Sequence, residues 1–207
     1  MTKNITSQTL QRLPMYLSYL MSLPESRRNG NISATAIAEA LGLNDVQVRK
    51  DLASVSNGGR PKVGYCTAEL ISDLGRFLGF DNRDGVVVAG MGNFGRAMLM
   101  NKSFADYGFD IVCGFDCDES IVGTEIGGKP VYHISELKGF CERENIRIGI
   151  ITVPERAAQE VCSEMTEAGI RFILNFAPVH LNTPKGVTIH NENISLTLAM
   201  LARYGEQ

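Results

Sequence analysis

Apolar residues recur at helical spacing near the start of the chain, and they predict one helix. The run consists of Leu10, Leu13, Leu17 and Leu20. This spacing of three and four positions places all four side chains on one helical face. Pro14 lies inside the run, where it either kinks the helix or opens its second part.

Two shorter helical segments follow, separated by a glycine turn. Ser33 is a plausible N-cap for the first segment, and Gly42 ends it as a left-handed terminator. Asn44 or Asp45 caps the second segment, which runs to about Ser56. A helix, a glycine-containing turn and a second helix make up the helix-turn-helix pattern.

The second of these helices has an apolar and a polar side. Its apolar side carries Val48, Leu52 and Val55. Its outward and flanking side chains are Gln47, Arg49, Lys50 and Ser54. Such groups reach base edges and phosphates, which favours DNA contact, although a solvated amphipathic helix has the same pattern.

A glycine-rich basic segment follows the second helix and strengthens the DNA interpretation. Glycines bracket a basic tip between residues 57 and 65, as in a β-hairpin wing that follows the DNA backbone or enters a narrow minor groove. The candidate DNA contacts in this segment are Asn57, Arg60, Lys62 and Tyr65. Thr67 then caps a last helix, which completes a predicted winged-helix domain.

A buried-type strand at residues 86–89 runs directly into a G-x-G-x-x-G turn. The three glycines serve the tight turn, the approach of backbone to a pyrophosphate, and close helix packing. The candidate cofactor-binding residues of this turn are Gly90, Met91, Gly92, Asn93, Phe94 and Gly95. The expected ligand is a dinucleotide, with coenzyme A, another nucleotide, or no ligand as the alternatives.

A second strand at residues 111–115 ends on Asp116, twenty-one residues after Gly95. At this distance an acidic side chain binds the adenosine ribose hydroxyls. No Arg or Lys follows directly, so NAD(H) is favoured over NADP(H).

The remaining half continues the pattern as βαβαβ, which indicates an α/β fold with a Rossmann-type parallel sheet. Ligands lie at the carboxyl ends of such strands. The residues expected to line the far side of the site are Thr152, Val153, Pro154, Asn175, Phe176 and Pro178. A C-terminal helix carries Ile194, Leu196, Leu198 and Leu201, and so apolar a terminal helix usually docks, here on a partner subunit.

Charge is unevenly distributed along the 207 residues. Residues 1–80 carry a balance of +3 and residues 81–207 a balance of −6, which implies two units of different purpose. We predict a winged-helix domain at 1–80, an NAD(H)-binding domain at 81–190 and a C-terminal dimerisation helix at 191–207.

The cysteine content and the hydropathy pattern argue against several kinds of site and location. The five cysteines are odd in number and form no C-x-x-C pair, which argues against a disulfide framework and against a metal site. A thiol sensor formed by Cys113 and Cys117, at the end of the second strand, is an alternative. The absence of a long apolar run or a leader pattern predicts a cytoplasmic protein.

Two other classes of protein would also bind a nucleotide, one as an enzyme cofactor and one as a regulatory ligand. An NAD-dependent oxidoreductase needs a catalytic acid or base, yet the three histidines lie in no recognisable motif and Tyr-x-x-x-Lys does not occur. We therefore predict no enzymatic activity and no catalytic residues. A nucleotide-binding regulatory subunit without DNA contact would leave Arg49, Lys50 and Lys62 without a role.

Between residues 10 and 204 the chain resembles the Rex redox-sensing transcriptional repressors. The resemblance rests on residues 12–16, 48–52, 59–65, 90–95, 115–116, 121–124, 152–154 and 175–178. It implies a homodimer that reads an A·T-rich inverted repeat, with C-terminal helices exchanged between subunits. It also implies that NADH releases the repressor from operator DNA, whereas NAD+ allows binding.

The chain departs from the family pattern in two places. Many relatives carry Tyr-Phe-Gly after the R-K-D-L stretch, whereas this chain has Ser54-Val55-Ser56. The family's usual aspartate in the C-terminal helix, paired with an N-terminal arginine in one of the two states, is Asn193. By this resemblance Arg12, Asn193 and Ile194 belong to the switch, with Arg12 lacking its charged partner and NADH control weakened. The alternatives are that another residue substitutes or that Asn193 merely caps its helix.

Overall fold

A computed structural model describes residues 5–204 of the chain. The chain divides into two compact units after Asn82. The predicted boundary between residues 80 and 81 lies close to this division, and the C-terminal helix is part of the second unit.

The N-terminal unit is mostly helical, with one short antiparallel strand pair. Its helices are α1 (Ser7–Ser22), α2 (Glu25–Arg28), α3 (Ala34–Leu41), α4 (Asp45–Val55) and α5 (Thr67–Leu78). Its strands, β1 (Asn31–Ile32) and β2 (Tyr65–Cys66), pair with each other. The apolar faces of α1, α3, α4 and α5 form one buried cluster, so the helix-turn-helix lies on its own core.

The predicted caps of the helix-turn-helix are confirmed. The Ser33 side chain accepts a hydrogen bond from the Ala36 amide, and Asn44 accepts one from the Gln47 amide. Gly42 ends α3 in the left-handed conformation that glycine adopts without strain. Pro14 lies inside a single α1 rather than at the start of a second helix. Thr67 is the first residue of α5 instead of its cap, because Cys66 occupies the capping position.

The wing is shorter than the expected hairpin. Arg60 and Gly64 form an isolated antiparallel bridge around a tight turn, and the strand that follows pairs with β1 instead. A side chain at Gly64 would meet the Ile32 carbonyl group, and its φ is +86°, so both space and backbone conformation require glycine.

The second unit is a seven-stranded sheet with helices on both faces. Its strands are β3 (Asp84–Ala89), β4 (Phe109–Asp116), β5 (Glu125–Ile126), β6 (Lys129–His133), β7 (Ile148–Ile151), β8 (Phe172–Asn175) and β9 (Thr188–Asn191). They lie in the order β5-β6-β4-β3-β7-β8-β9, and every neighbouring pair is parallel except β5 with β6. Its helices are α6 (Asn93–Met100), α7 (Leu137–Glu144), α8 (Glu155–Glu167) and α9 (Ile194–Tyr204).

The sheet brings four predicted segments to one edge, because β3, β4, β7 and β8 are parallel neighbours. Buried clusters pack on its two faces, one around Val87 and Phe115 and the other around Val88 and Ile111. The carboxyl ends of β3, β4, β7 and β8 therefore meet at the edge where an α/β fold binds its ligand. The predicted Rossmann-type parallel sheet is confirmed.

Residues 5–204 contain neither a membrane-spanning helix nor a metal-binding cluster. No helix there has the length and apolar composition needed to cross a bilayer. No group of three or more His, Cys, Asp or Glu side chains in this range has a geometry suited to a metal ion.

Candidate nucleotide and DNA sites

The glycine turn after β3 is shaped by contacts that exclude side chains at two of its positions. A Cβ atom at Gly90 would lie 2.7 Å from Val153 Cγ1, and one at Gly95 would overlap the Gly90 carbonyl oxygen. Thr152 Oγ1 donates toward the carbonyl oxygens of Ala89 and Gly90, at 2.9 and 2.7 Å, and so ties the end of β7 to the turn. The fold itself therefore requires glycine at both positions.

Gly92 differs from both neighbours. No heavy atom lies within 4 Å of a Cβ placed there, and its backbone is extended, a conformation open to any residue. Gly92 also precedes α6, whose first backbone N–H groups form an anion-binding end. The open space around Gly92 and its lack of a side chain would allow a pyrophosphate to approach the backbone.

Asp116 lies beside this turn, as its distance from the turn in the sequence predicted. Its Oδ2 accepts a hydrogen bond from the Met91 amide at 2.5 Å, and its Oδ1 accepts one from the Asp118 amide at 3.0 Å. A carboxylate has about four acceptor sites, so lone pairs remain for ribose hydroxyls. Arg96, which sequence reasoning missed, donates from Nε to the Met91 carbonyl oxygen at 2.9 Å and steadies the turn.

A cavity of about 300 Å³ opens where the ends of β7 and β8 face the start of α9. The rings of Phe94 and Phe176 meet there edge to face, with centroids 4.7 Å apart. The lining residues are Phe94, Thr152, Val153, Phe176, Ala177, Pro178, Glu192, Asn193, Ile194 and Ser195. Five of the predicted cofactor residues are thus brought together in one cavity.

Two of the residues predicted at the ends of β7 and β8 do not line this cavity. Asn175 is fully buried, and its amide is used internally by Ala177, Val179 and Asn191. Pro154 is the N-cap residue of α8 and belongs to a separate shallow depression. Both residues shape the strand ends, and their contact with a nucleotide stays a prediction.

Glu192 and Ser195 were not predicted as site residues, because the sequence pattern of β9 was not recognised. The alternation in Val187-Thr188-Ile189-His190 was the available signal, and β9 next to β8 brings residues 192–195 to the cavity. His190 Nε2 lies 2.9 Å from Glu192 Oε1, so a polar pair adjoins the cavity.

The helix-turn-helix presents its predicted faces. Val48 and Leu52 are fully buried, whereas Lys50 is exposed and Arg49 has 62% of its side chain exposed. Arg49 also pairs with Asp45, one turn earlier, at 3.2 Å. Recognition helices contact bases mainly through their N-terminal residues, and the exposed residues here lie in that half of α4.

Basic side chains from α4 and the wing line a common cavity of about 570 Å³. They are Arg49, Arg60 and Lys62. Asn57 is exposed at the start of the same wing. Because three cations converge here, the cavity is suited to phosphate groups.

Two predicted DNA contacts, Tyr65 and Ser54, are placed differently than expected. Tyr65 is only 7% exposed and lies beneath Gly59, so it supports the wing. The Ser54 hydroxyl donates to the Asp51 carbonyl oxygen within α4. Gln47 is exposed, as predicted, and its Nε2 donates to the Asp51 carboxylate at 2.9 Å.

Comparison with known proteins covers both units. The family described as "Putative DNA-binding protein N-terminus" matches residues 4–53, and the family "CoA binding domain" matches residues 81–179. The redox-sensing transcriptional repressor Rex of Porphyromonas gingivalis is 41% identical over 95% of this chain and 90% of its own length. This chain belongs to the Rex family.

Other Rex proteins match over similar lengths. The Rex of Streptomyces coelicolor is 36% identical over 97% of this chain and 78% of its own. A solved Rex-family relative, RSP in complex with β-NAD+ and operator DNA, has a TM-score of 0.90 at 32% identity, covering 99% of this chain and 94% of that one. RSP with β-NADH has a TM-score of 0.87 at 30% identity, covering 99% and 96%.

One residue expected in the Rex switch has a partner that the sequence did not reveal. Arg12 donates from Nε and Nη2 to the Asp51 carboxylate, at 2.8 and 3.1 Å. Asp51 of the same unit thus gives Arg12 a charged partner other than the C-terminal aspartate of the family pattern.

Asn193 has the structural role that was the alternative to a switch. Its Oδ1 accepts a hydrogen bond from the Leu196 amide at 2.9 Å, which caps α9. Ile194 is 54% exposed and lines the same cavity as Asn193.

The two cysteines considered for a thiol sensor, Cys113 and Cys117, lie in different environments. All five are free. Cys113 is buried, and desolvation raises its pKa to about 12, so its thiol stays protonated near neutral pH. Cys117 is exposed, whereas Cys113 is out of reach of solvent oxidants.

Proposed function

We propose that this chain is a redox-sensing transcriptional repressor that binds operator DNA and is released from it by NADH. The N-terminal unit binds the DNA, and the second unit binds NADH or NAD+ at the turn beginning at Gly90. Three functional segments follow: a DNA-binding domain at 1–80, a nucleotide domain at 81–190 and a dimerisation helix at 191–207.

One observation carries the proposal: a basic helix-turn-helix and an open glycine turn occur in the same chain. Solved RSP, similar along nearly the whole length, was crystallised with β-NAD+ and operator DNA and separately with β-NADH. A nucleotide-binding regulatory subunit without DNA contact does not account for the basic cavity of Arg49, Arg60 and Lys62.

The acidic group at the ribose position favours NAD(H) over phosphorylated nucleotides. Asp116 lies next to Met91, where adenosine ribose hydroxyls are bound in this type of fold. A 2′-phosphate of NADP(H) or the 3′-phosphate of coenzyme A would meet this carboxylate, and like charges in contact are costly. The ring-lined cavity beside Phe94 and Phe176 is suited to the nicotinamide half.

The proposed DNA contacts are side chains of α4 and the wing. Lys50, Arg49, Arg60, Lys62 and Asn57 supply charge and hydrogen bonds to phosphates and base edges. In line with the resemblance to Rex repressors, we propose that two copies of α4 read an A·T-rich inverted repeat.

The proposed homodimer uses α9. Five large apolar side chains of α9 are each more than half exposed: Ile194, Leu196, Leu198, Met200 and Leu201. Apolar surface of this kind is typical of a subunit interface, which supports exchange of α9 between subunits.

We infer a repressor rather than an enzyme, acting in the cytoplasm where its DNA is. The curated relatives are named transcriptional repressors. The polar pair of His190 and Glu192 is the group that a dehydrogenase would use near the cavity. If the chain is a repressor, Glu192→Gln still binds operator DNA and still responds to NADH.

An operator-binding assay tests the proposal. A preferred duplex is first selected from a random DNA library in the presence of NAD+, and its affinity is then measured with NAD+ or NADH. We expect NADH to weaken binding. Gly92→Val should bind the duplex and lose this response, whereas Gly139→Val, which also adds a side chain in open space, should respond like the parent. A library that yields no preferred duplex contradicts the DNA function, and equal affinity with both nucleotides contradicts the sensing function.

A further inference from the structure

Asp51 is a buried carboxylate on the inner side of α4 that receives hydrogen bonds from two helices. It is 2% exposed. From α1 it accepts the Thr9 hydroxyl at 3.1 Å, the Tyr16 hydroxyl at 2.8 Å and two N–H groups of Arg12 at 2.8 and 3.1 Å. From its own helix it accepts Gln47 Nε2 at 2.9 Å. All donors to Asp51 except Gln47 therefore belong to α1, which packs on the inner side of α4.

The charge state of Asp51 decides which end of the Gln47 amide faces it. Burial alone raises the pKa of the Asp51 carboxyl, but the hydrogen bonds from Arg12, Tyr16, Gln47 and Thr9 outweigh it and hold the pKa below its usual value. An ionised carboxylate only accepts hydrogen bonds. The NH₂ group of Gln47 must therefore face Asp51, and the carbonyl oxygen Oε1 must face away.

Gln47 is the third residue of α4 and is exposed, in the half of a recognition helix that meets bases. With one N–H held by Asp51, the amide still offers one N–H donor and the Oε1 acceptor. The major-groove edge of adenine carries the complementary acceptor N7 and donor N6–H, whereas guanine carries two acceptors. A fixed amide also loses less freedom when it binds.

We propose that Asp51 is a positioning residue that fixes the Gln47 amide to read adenine in the major groove. This inference rests on the proposed DNA-binding function and adds the base that is read and the residue that sets the reading. Asp51 acts through Gln47 and does not itself touch DNA.

The test measures discrimination between bases on the selected duplex. Gln47→Ala first identifies the base pair whose identity Gln47 senses, and we expect an A·T pair there. Replacing that adenine by 7-deazaadenine, which lacks the N7 acceptor, should weaken the parent and leave Gln47→Ala unaffected. Asp51→Asn offers an amide that accepts and donates, so Gln47 is no longer held one way. We expect its preference for adenine over guanine at this pair to fall about tenfold, with other pairs unchanged.

A matched control separates positioning from stability. Tyr16→Phe removes a different donor from Asp51 but leaves the bond to Gln47, so its base preference should stay parental even if its melting temperature falls. The double variant of Gln47→Ala with Asp51→Asn should lose no more preference than Gln47→Ala alone. Melting temperature and circular dichroism verify that each variant is folded at the assay temperature.

Three results would overturn the inference. The first is a folded Asp51→Asn that keeps the parental preference for adenine. The second is a Gln47→Ala that weakens all duplexes equally, which would place Gln47 on phosphate. If Asp51→Asn does not fold, Gln47→Glu serves instead. This substitution places a second carboxylate next to Asp51 and removes the N–H donor of Gln47. The third overturning result is a Gln47→Glu variant that keeps the parental preference for adenine. If the parent prefers no duplex, the proposed function fails too, and this outcome is distinct from a parent that binds but senses no base through Gln47.

Discussion

The DNA-binding face and the nucleotide turn of this protein are built in opposite ways. The face on α4 consists of exposed side chains, and a buried carboxylate, Asp51, holds one of them in place. The nucleotide turn consists of backbone and of missing side chains, with Gly90 and Gly95 required by packing and Gly92 required by nothing in the fold. Function in the first region depends on what side chains offer, and in the second on the space they leave.

The difference predicts how substitutions separate stability from function. At the turn, two neighbouring glycines should give unlike results, because one faces the fold and the other faces open space. In the N-terminal unit, folding stability and base recognition should be linked, since Asp51 joins α1 to α4 and also orients Gln47.

The largest effect is expected at Gly95. Gly95→Val places a side chain on the Gly90 carbonyl group and within 2.8 Å of Thr152 Oγ1, both parts of a rigid strand end. We expect loss of several kcal/mol, enough to leave the nucleotide unit unfolded. Gly92→Val should instead keep the parental melting temperature and lose NADH binding by calorimetry. Equal melting temperatures for the two variants would contradict the division of roles at this turn.

The second effect concerns the ion pair between Arg12 and Asp51. Arg12→Leu leaves a carboxylate that is 2% exposed without its cation, and breaking a buried pair on one side costs about 3–5 kcal/mol. Urea unfolding followed by circular dichroism measures the loss. Arg49→Leu is the matched control, because its pair with Asp45 is exposed at both ends and is worth at most about 1 kcal/mol. A similar loss in both variants would show that Asp51 is not the anchor of this unit.

The sequence predicted the elements of both regions better than the contacts between them. Local signals, such as the caps at Ser33 and Asn44 and the terminator Gly42, depend on residues three or four positions apart and were read correctly. The pair between Arg12 and Asp51 joins residues 39 positions apart, and no local pattern indicates it. Asp51 was read only as part of the R-K-D-L stretch.

The cofactor site shows the same limit. Gly92 and Asp116 follow from a spacing rule that reflects backbone geometry, so both lie where expected. Asn175 ends a strand at the right edge, yet its amide folds back on Ala177 and Val179, and only side-chain packing decides between the two. Glu192 was missed because β9 is a short, largely exposed edge strand.

The third effect is a loss of stability at alkaline pH that originates at Tyr16. Desolvation and the hydrogen bond to Asp51 raise the pKa of Tyr16 to about 12, against about 10 in the unfolded chain. Because this pKa is higher in the folded protein, Tyr16 contributes its full stabilisation below about pH 10. That contribution, roughly 3 kcal/mol, is lost as the pH rises toward 12. Urea unfolding at pH 9 to 12 should show this decline in the parent. Tyr16→Phe should show a shallower one, and parallel profiles would contradict the assignment.

The smallest effect is expected at Asn193, and it tests whether the two regions share a switch residue. Asp caps a helix about as well as Asn, so Asn193→Asp should preserve α9, whereas Asn193→Ala should lose about 1 kcal/mol of capping. Since Arg12 is already bound by Asp51, we expect the ratio of operator affinities with NAD+ and NADH to change less than about twofold in Asn193→Asp. A ratio increased more than about fivefold would correspond to roughly 1 kcal/mol and would mean that Arg12 exchanges Asp51 for the new carboxylate in one state. In that case the Asp51 network would be part of the redox response, and Arg12→Leu would abolish the gain.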